Sequence, residues 1–506
     1  MRPSRQQRRK AEREAKAKPV ASPESAFRTA LSPQSGPLWH YALVACVALG
    51  IQAVQIAFLW NDPAVQGPII DGRDYHQEAV RIVAGAPAPH APHFQSPLLP
   101  WALSVTYRIL GTRPENNLFL QAVLVASIAL LVLAIGRRFL SPRAALAAGL
   151  AATCYGPLLF FASQIIPSSI ETATVLLVVL LSLAVRGSDG TLAHVGLGLA
   201  CGLAVAARGT VAPVVVWLAL RPWRHLSPAI AASRTAALFA GVFLGVLPVA
   251  VSNALRSGEF LFATTNLGNN LWLGNNPDIV EATGWRPGWQ WDYFLSEPAR
   301  HGALTPIESS DWHRNDAIAW ALSNPLDWIR GVGIKLSDVF NGTEIPRNMD
   351  PYGDLGRTPL TSVLLWNHGI RFPFGLVLPL AATGLAVHWR GPDDRSRVVR
   401  TIALFVLLNV IGLVLFFSCG RYRLGYTVAI LPLAVSGGVA LAGMIRRRIP
   451  PAWPAILVGA VVALASNLLP PFTGPDLRDE GPLHEAMAYD SAGRIDEAER
   501  DRKSVV

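Results

Sequence analysis

The chain has 506 residues, 51% of them hydrophobic and only 15% charged, with a net charge of +10. Long apolar runs recur from end to end, which excludes a soluble globule and points to an all-α polytopic membrane protein. The basic residues cluster at the N-terminus and in short turns between apolar runs, the positive-inside pattern, so the charge argues for membrane lipids and not nucleic acid as the partner.

Residues 1–37 open with MRPSRQQRRKAEREAKAKPV and read as a disordered basic arm on the cytoplasmic side. The apolar run at about 38–60 is too long for a signal-peptide core and no Ala-x-Ala site follows, so it reads as an uncleaved anchor. Residues 61–114 then lie outside, with two amphipathic stretches, about 74–84 and 98–111, too short to span. Ten further spans are expected at about 115–136, 144–161, 168–185, 190–207, 210–221, 234–254, 371–389, 401–418, 424–444 and 453–469. With roughly eleven spans, the Arg-rich turns "GRRFLSPR", "RPWRHLSPAIAASR", "WRGPDDRSRVVR" and Arg446–Arg448 all fall on the inner side. The membrane core is thus 38–470, with outer segments 61–114 and 255–370 and an outer tail, 471–506. The four cysteines, Cys46, Cys154, Cys201 and Cys419, have neither metal nor disulfide spacing and read as packing residues.

Chemistry is expected on the outer face, where the large polar segments lie. The helix interiors carry almost no charge, Glu171 near the outer end of the fourth span being the nearest exception, which disfavours a transporter. The first outer segment contains "IIDGRDYHQEA". Asp74 reads as a helix cap with Gln77 reaching back, and Tyr75, Ala79, Ile82 and Val83 as one apolar face lying on the membrane surface. Gly85 ends that helix. Asp71 comes three residues earlier, behind Ile69 and Ile70; in a partly desolvated site such a carboxylate has a raised pKa and can act as a base. On the residues alone, an ordinary loop aspartate is the commoner explanation.

The segments "PIIDGRDYHQEAVRIVAG", "FQSPLLPWALSVTYRILG", "YGPLLFF", "LGNNLWLGNNP", "NPLDWIRGVGIKLSDVFNGTEIPRN" and "FFSCGRYRLGY" occur in an order that resembles the GT-C membrane glycosyltransferases. The resemblance is to the protein-O-mannosyltransferase and aminoarabinose-transferase-like group, glycosyltransferase family 39 type, over about residues 38–445. It implies a GT-C-type bundle with outer juxtamembrane helices and loops in the cell inner (plasma) membrane, N-terminus cytoplasmic and active site outside. It implies inverting transfer of a sugar from a polyprenyl-phosphate-linked donor to an acceptor hydroxyl on a glycan, lipid or protein. Asp71 matches the family's catalytic base.

Arg208 in "AARGTVAP" and Arg421 and Arg423 in "CGRYRLGY" lie at outer turns, where positive charge is not favoured. Interfacial snorkelling explains them blandly; a bidentate grip on the donor phosphate explains them functionally. Glu344 and Arg347 in "NGTEIPRN" resemble a family motif, and a mutual ion pair holding the loop is the competing reading. The candidate substrate-binding set is Asp74, Tyr75, Arg208, Glu344, Arg347, Arg421, Tyr422 and Arg423. Trp272, Trp285, Trp289 and Trp291 are read as sugar-stacking residues or as an interfacial belt. Asn341-Gly342-Thr343 is a formal N-glycosylation sequon, meaningful only in a eukaryotic secretory setting.

The chain also departs from the family. Where relatives carry acidic residues in a run like FFDAELLPTS, this chain reads "FFASQIIPSS", with Ala162 and Gln164. No cofactor is expected, and His76, His93 and Glu171 show no recognised metal pattern. The departures leave a non-catalytic lipid-sugar binder or scaffold as the second reading, and a lipid-linked sugar transporter as the third. The tail segment 482–501 resembles the start of a tetratricopeptide repeat, too little to bury a core by itself.

Overall fold

The computed structural model describes residues 36–186, 189–262, 264–285, 289–353, 355–472 and 481–498. The basic arm lies outside the described residues up to position 35, as does the end of the tail from 499. Among the described residues the fold is all-α; the only β-type pairing is a single bridge between Trp366 and Phe372.

In chain order the main helices are α1 (Trp39–Leu59), α2 (Asp71–Val83), α3 (Leu98–Leu110), α4 (Asn117–Gly136), α5 (Pro142–Thr153), α6 (Gly156–Ala162) and α7 (Ser168–Ala184). Then follow α8 (Thr191–Ala207), α9 (Ala212–Leu220), α10 (Pro228–Ser257), α11 (Asn266–Leu273), α12 (Trp289–Arg300), α13 (Pro306–Ser323) and α14 (Pro325–Phe340). The chain closes with α15 (Phe374–His388), α16 (Asp394–Leu415), α17 (Gly420–Ala429), α18 (Leu431–Ile445), α19 (Trp453–Leu468) and α20 (Gly481–Ser491).

Each of the eleven expected spans is a helix or a bent helix pair. Their lengths differ. Among the described residues, α1, α4 with its preceding turn, α10 and α16 are by length and composition straight helices able to cross a bilayer, and α5–α6 and α17–α18, bent by 43° and 55°, do so if each pair counts as one span. α7, α8, α15 and α19 have 15–17 residues and α9 only nine. At 1.5 Å per residue, 17 residues reach about 25 Å against a hydrocarbon core of about 30 Å. The apolar runs are longer than the helices within them, because breaks such as the turn at Arg208 interrupt the backbone. Such breaks are tolerated at membrane depth where protein surrounds them.

The outward faces are apolar: Phe58 on α1, Phe243 and Leu244 on α10, Leu407 on α16 and Leu464 on α19 are all exposed, as lipid-facing side chains would be. Between helices the contact is made by small residues, since lipid removes the hydrophobic drive for association. Gly198 and Gly202 of α8 meet Gly241 and Gly245 of α10, and a methyl at Gly198 would come within 2.0 Å of the Leu238 carbonyl. The core joins residues of α1, α4 to α10, α14 and α15 to α18. Two of the four cysteines depart from the packing expectation: Cys201 and Cys419 are buried, but Cys46 and Cys154 are exposed.

Outside this bundle α2 and α3 form a hairpin. Tyr75 and Ala79 of α2, four residues apart, pack on Leu99, Leu103 and Tyr107 of α3 and on Ile165, so this face rests on protein and not on lipid. Gly85, at φ 64°, follows the end of α2, as its sequence position predicts. The start of α2 corrects the expectation. The helix begins at Asp71, not after Asp74, and Asp74 is an exposed first-turn residue with no capping role. Ile70, at φ 52° and ψ −129°, turns the chain into the helix. The tail helix α20 packs back on the short helix Pro63–Gln66, and Ser491 donates to the Pro68 carbonyl at 3.2 Å.

Candidate active site

α2 presents Asp71 in its first turn, where the helix dipole favours a carboxylate. Three side chains from distant parts of the chain converge on it. Arg421 Nη1 donates to Oδ2 at 2.9 Å, Asn348 Nδ2 donates to the same oxygen at 2.8 Å, and Gln95 Nε2 donates to Oδ1 at 3.0 Å. Burial pushes the Asp71 pKa up, but Arg421 and the Asn348 and Gln95 hydrogen bonds outweigh it and hold the carboxyl below its ordinary value. The raised pKa expected from sequence is thereby corrected: the site is desolvated, yet its donors win. Asp74, one turn away, is raised, first by the partial desolvation that the neighbouring protein imposes on its otherwise exposed carboxyl and then by the Asp71 charge.

Asp71 lies in the wall of a cavity of about 950 Å³. Arg208, Arg347, Arg421, Tyr75 and Tyr422 line the same space, with Asp74 at its margin. Arg208 is gripped by Glu171 through two hydrogen bonds of 2.8 Å, and its guanidinium lies 3.6 Å from the centre of the Tyr422 ring. Tyr422 also accepts a hydrogen bond from Arg421 Nη2 at 3.2 Å, so one phenol spaces two guanidiniums. Arg421 Nε is buried with no hydrogen-bond partner among the described residues. Arg347 donates to the Thr283 carbonyl at 2.6 Å and faces the rings of Phe417 and Trp291. The rest of the lining is apolar, including Val205, Val216, Val249, Phe262 and Leu415.

Two of the nine site residues predicted from sequence sit elsewhere. Arg423 and Glu344 do not line the cavity; they form a buried ion pair at 3.0 Å, each about 2% exposed or less. Arg423 also donates to the carbonyls of Asp338, Val339, Asn341 and Thr343, tying α17 to the end of α14. The expected Glu344–Arg347 pair is therefore not formed. The exchange has a steric origin: Arg421 and Arg423, two residues apart near the start of α17, turn to opposite sides, one to the cavity and one to the loop.

Gln95 and Asn348 were missed by sequence reasoning. Both fall inside segments already singled out, "FQSPLLP" and "EIPRN", but neutral amides carry no chemical signature of their own. The pairing of Glu171 with Arg208 was likewise unread. Of the tryptophans, Trp285 and Trp291 line the cavity, Trp272 packs on Trp285 and Phe294, and Trp289 is exposed. Asn341 of the sequon is buried and donates to the Leu469 carbonyl, which closes it to glycosylation in this fold. His76 bonds the Tyr107 hydroxyl and His93 bonds Ser252, so neither lies with Glu171. Among the described residues no three His, Cys, Asp or Glu side chains are grouped to hold a metal.

No protein-family model and no curated protein matches the sequence. Among solved structures, the chain is similar to the oligosaccharyltransferase of Archaeoglobus fulgidus tethered to an acceptor peptide, at 16% identity and a TM-score of 0.44, over 91% of this chain and 58% of that one. It is similar to ArnT from Cupriavidus metallidurans bound to undecaprenyl phosphate, at 15% identity and a TM-score of 0.34, over 86% and 89% of the two chains. The chain thus spans a little over half the length of the oligosaccharyltransferase.

Proposed function

We propose that this protein is a GT-C-type membrane glycosyltransferase that moves a sugar from a polyprenyl-phosphate-linked donor to an acceptor hydroxyl by an inverting mechanism. The observation that carries the reading is the composition of one cavity: Asp71, Arg208, Arg347 and Arg421 share about 950 Å³ with an apolar wall, and Arg73, Asp74, Glu171 and Asp292 complete its charged lining. The apolar wall suits a prenyl chain, the guanidiniums suit its phosphate, and Asp71 suits the acceptor. In the proposed step the acceptor oxygen attacks the anomeric carbon, Asp71 takes the hydroxyl proton, and the bond from that carbon to the phosphate oxygen breaks. The electron pair leaves with polyprenyl phosphate, whose growing charge the arginines stabilise.

Arg421 joins the two halves. Arg421 pairs with Asp71 at 2.9 Å, which makes the carboxylate a weak base. A donor phosphate competes for the same guanidinium and for its unpartnered Nε. Drawing Arg421 toward phosphate raises the basicity of Asp71 when a donor is present. The reading is tested by release of free polyprenyl phosphate from polyprenyl-phosphate sugars by the full chain in lipid vesicles. Release should require an acceptor and should fall with Asp71→Asn. Absence of acceptor-dependent release across donors and acceptors, with donor binding intact, would favour the non-catalytic binder that the three donors on Asp71 and the residues Ala162 and Gln164 also fit.

A further inference from the structure

A second cavity, of about 730 Å³, lies away from Asp71. Three helices connect the two. The start of α7 at Glu171 borders the first cavity and its end at Ser182 borders the second; α16 reaches the second at Asp394 and the first at Leu415; α9 and its preceding turn likewise touch both. At a helical rise of about 1.5 Å per residue, the step from Glu171 to Ser182 along α7 separates the two by about 17 Å, toward opposite ends of the bundle.

The second cavity is walled by six arginines, Arg138, Arg186, Arg221, Arg224, Arg397 and Arg400, and by a single carboxylate, Asp394. Asp394 is taken by Arg397 at 3.2 Å. Arg221 donates to the Ser182 carbonyl and Arg400 to the carbonyls of Trp389 and Gly391, all neutral acceptors. Among the described residues the other five arginines form no ion pair with a carboxylate. The arginines come from the turns after α4, α7 and α9 and from the start of α16, and they border one concavity, Arg221 and Arg400 half-buried in it and the other four exposed at its mouth; so many like charges around one space favour an anion there. Trp217, Leu183 and Leu404 supply an apolar side to the same space.

We propose that this cavity is a phosphate site, built for the head group of an anionic phospholipid. Guanidinium forks match phosphate oxygens, and basic pockets between helices at a membrane surface are suited to such head groups. The apolar side is where the first acyl carbons rest, which favours a lipid over a free phosphate. The site is independent of the transfer reaction proposed for the other end.

The test is native mass spectrometry of the full chain released from phosphatidylcholine nanodiscs. One sample is doped with phosphatidylglycerol and another receives soluble tripolyphosphate. The wild type should retain phosphatidylglycerol in preference to phosphatidylcholine. Arg138→Gln with Arg224→Gln should weaken retention about tenfold or more, while Arg138→Lys with Arg224→Lys should recover part of it. Arg446→Gln with Arg447→Gln removes equal charge from exposed positions outside the cavity and should change nothing. Retention of tripolyphosphate without phosphatidylglycerol would keep the phosphate chemistry and overturn the lipid source. No preference for either anion, or equal losses from the cavity pair and the control pair, would overturn the site itself. The lysine variants keep the test decisive should the glutamine pair fail to fold.

Discussion

Asp71 and Asp74 are three residues apart in one helix, and the fold gives them opposite surroundings. Asp71 is held by three donors, whereas Asp74 is exposed and lacks the capping role its sequence suggests. Asp71→Asn should cut transfer by about 10²–10⁴-fold, the usual worth of a general base, with Asp74→Asn close to wild type in the same vesicles. Near-normal turnover by Asp71→Asn would remove it from the chemistry. Arg421 and Arg423 form a second contrast. Arg423→Ala leaves Glu344 charged and buried, so it should cost about 3–5 kcal/mol of stability, read as a large fall in the thermal midpoint. Arg421→Ala should abolish most donor turnover at a smaller cost in stability, since Asp71 keeps Asn348 and Gln95. If Arg421→Ala unfolded the protein and Arg423→Ala only slowed it, the two roles would be reversed.

At the scale of elements, the placement of α2 decides the geometry of the candidate site. Ile70, β-branched and at φ 52°, enters the helix in a conformation that costs such a residue roughly 1–3 kcal/mol. Ile70→Gly should raise the thermal midpoint by relieving that strain, yet lower transfer because the first turn carrying Asp71 loses its fixed direction. A gain in both would show that the strain has no positional use. The other end of α2 is fastened by Glu78, which accepts from Arg81 and from Arg256 of α10. The hydrogen bond from Arg81, helped by Arg256, lowers the Glu78 pKa to about 2. Its ionised form therefore contributes stability that is fully present above its ordinary value of 4.5 and is lost as pH falls toward about 2. His93, bonded to Ser252 beside this contact, is lowered to about 4, chiefly by burial. It stays neutral in the fold while the unfolded chain takes up a proton, so stability declines from its ordinary value of 6.5 down to about 4. A wild-type melting series from pH 7 to acid should fall across both windows, and Glu78→Gln should flatten only the lower one.

For the whole molecule, the two cavities at opposite ends of α7, α9 and α16 define a polar axis across the bundle. The positive-inside reading puts the arginine cavity inside and the Asp71 cavity outside. In a cysteine-free background, single cysteines at Ala86 and Leu304 should react with an impermeant thiol reagent added to intact cells, and those at Arg390 and Arg446 should react only after lysis. All four positions are exposed, so silence reports sidedness and not burial. The reverse pattern would invert the axis and turn the candidate site to the inner side.

The all-α membrane class, the eleven apolar helical runs and the two short amphipathic helices outside them were readable from the chain itself, and seven of the nine residues singled out there line one cavity. The reason is local: hydrophobic runs, helical spacing and charge bias are written in consecutive residues. Helix length was less legible, because a run of apolar residues does not reveal where a bend interrupts it. Partnership was not legible at all. Asp71 meets Gln95, Asn348 and Arg421 across separations of 24, 277 and 350 residues, and Arg208 meets Glu171 across 37. Such contacts depend on which face each helix turns inward after the bundle has packed. That choice sent Arg423 to Glu344 and Arg421 to Asp71, and it set the sign of the Asp71 pKa shift. Sequence supplied the charged groups; only tertiary packing decided which of them neutralise one another and which line a cavity.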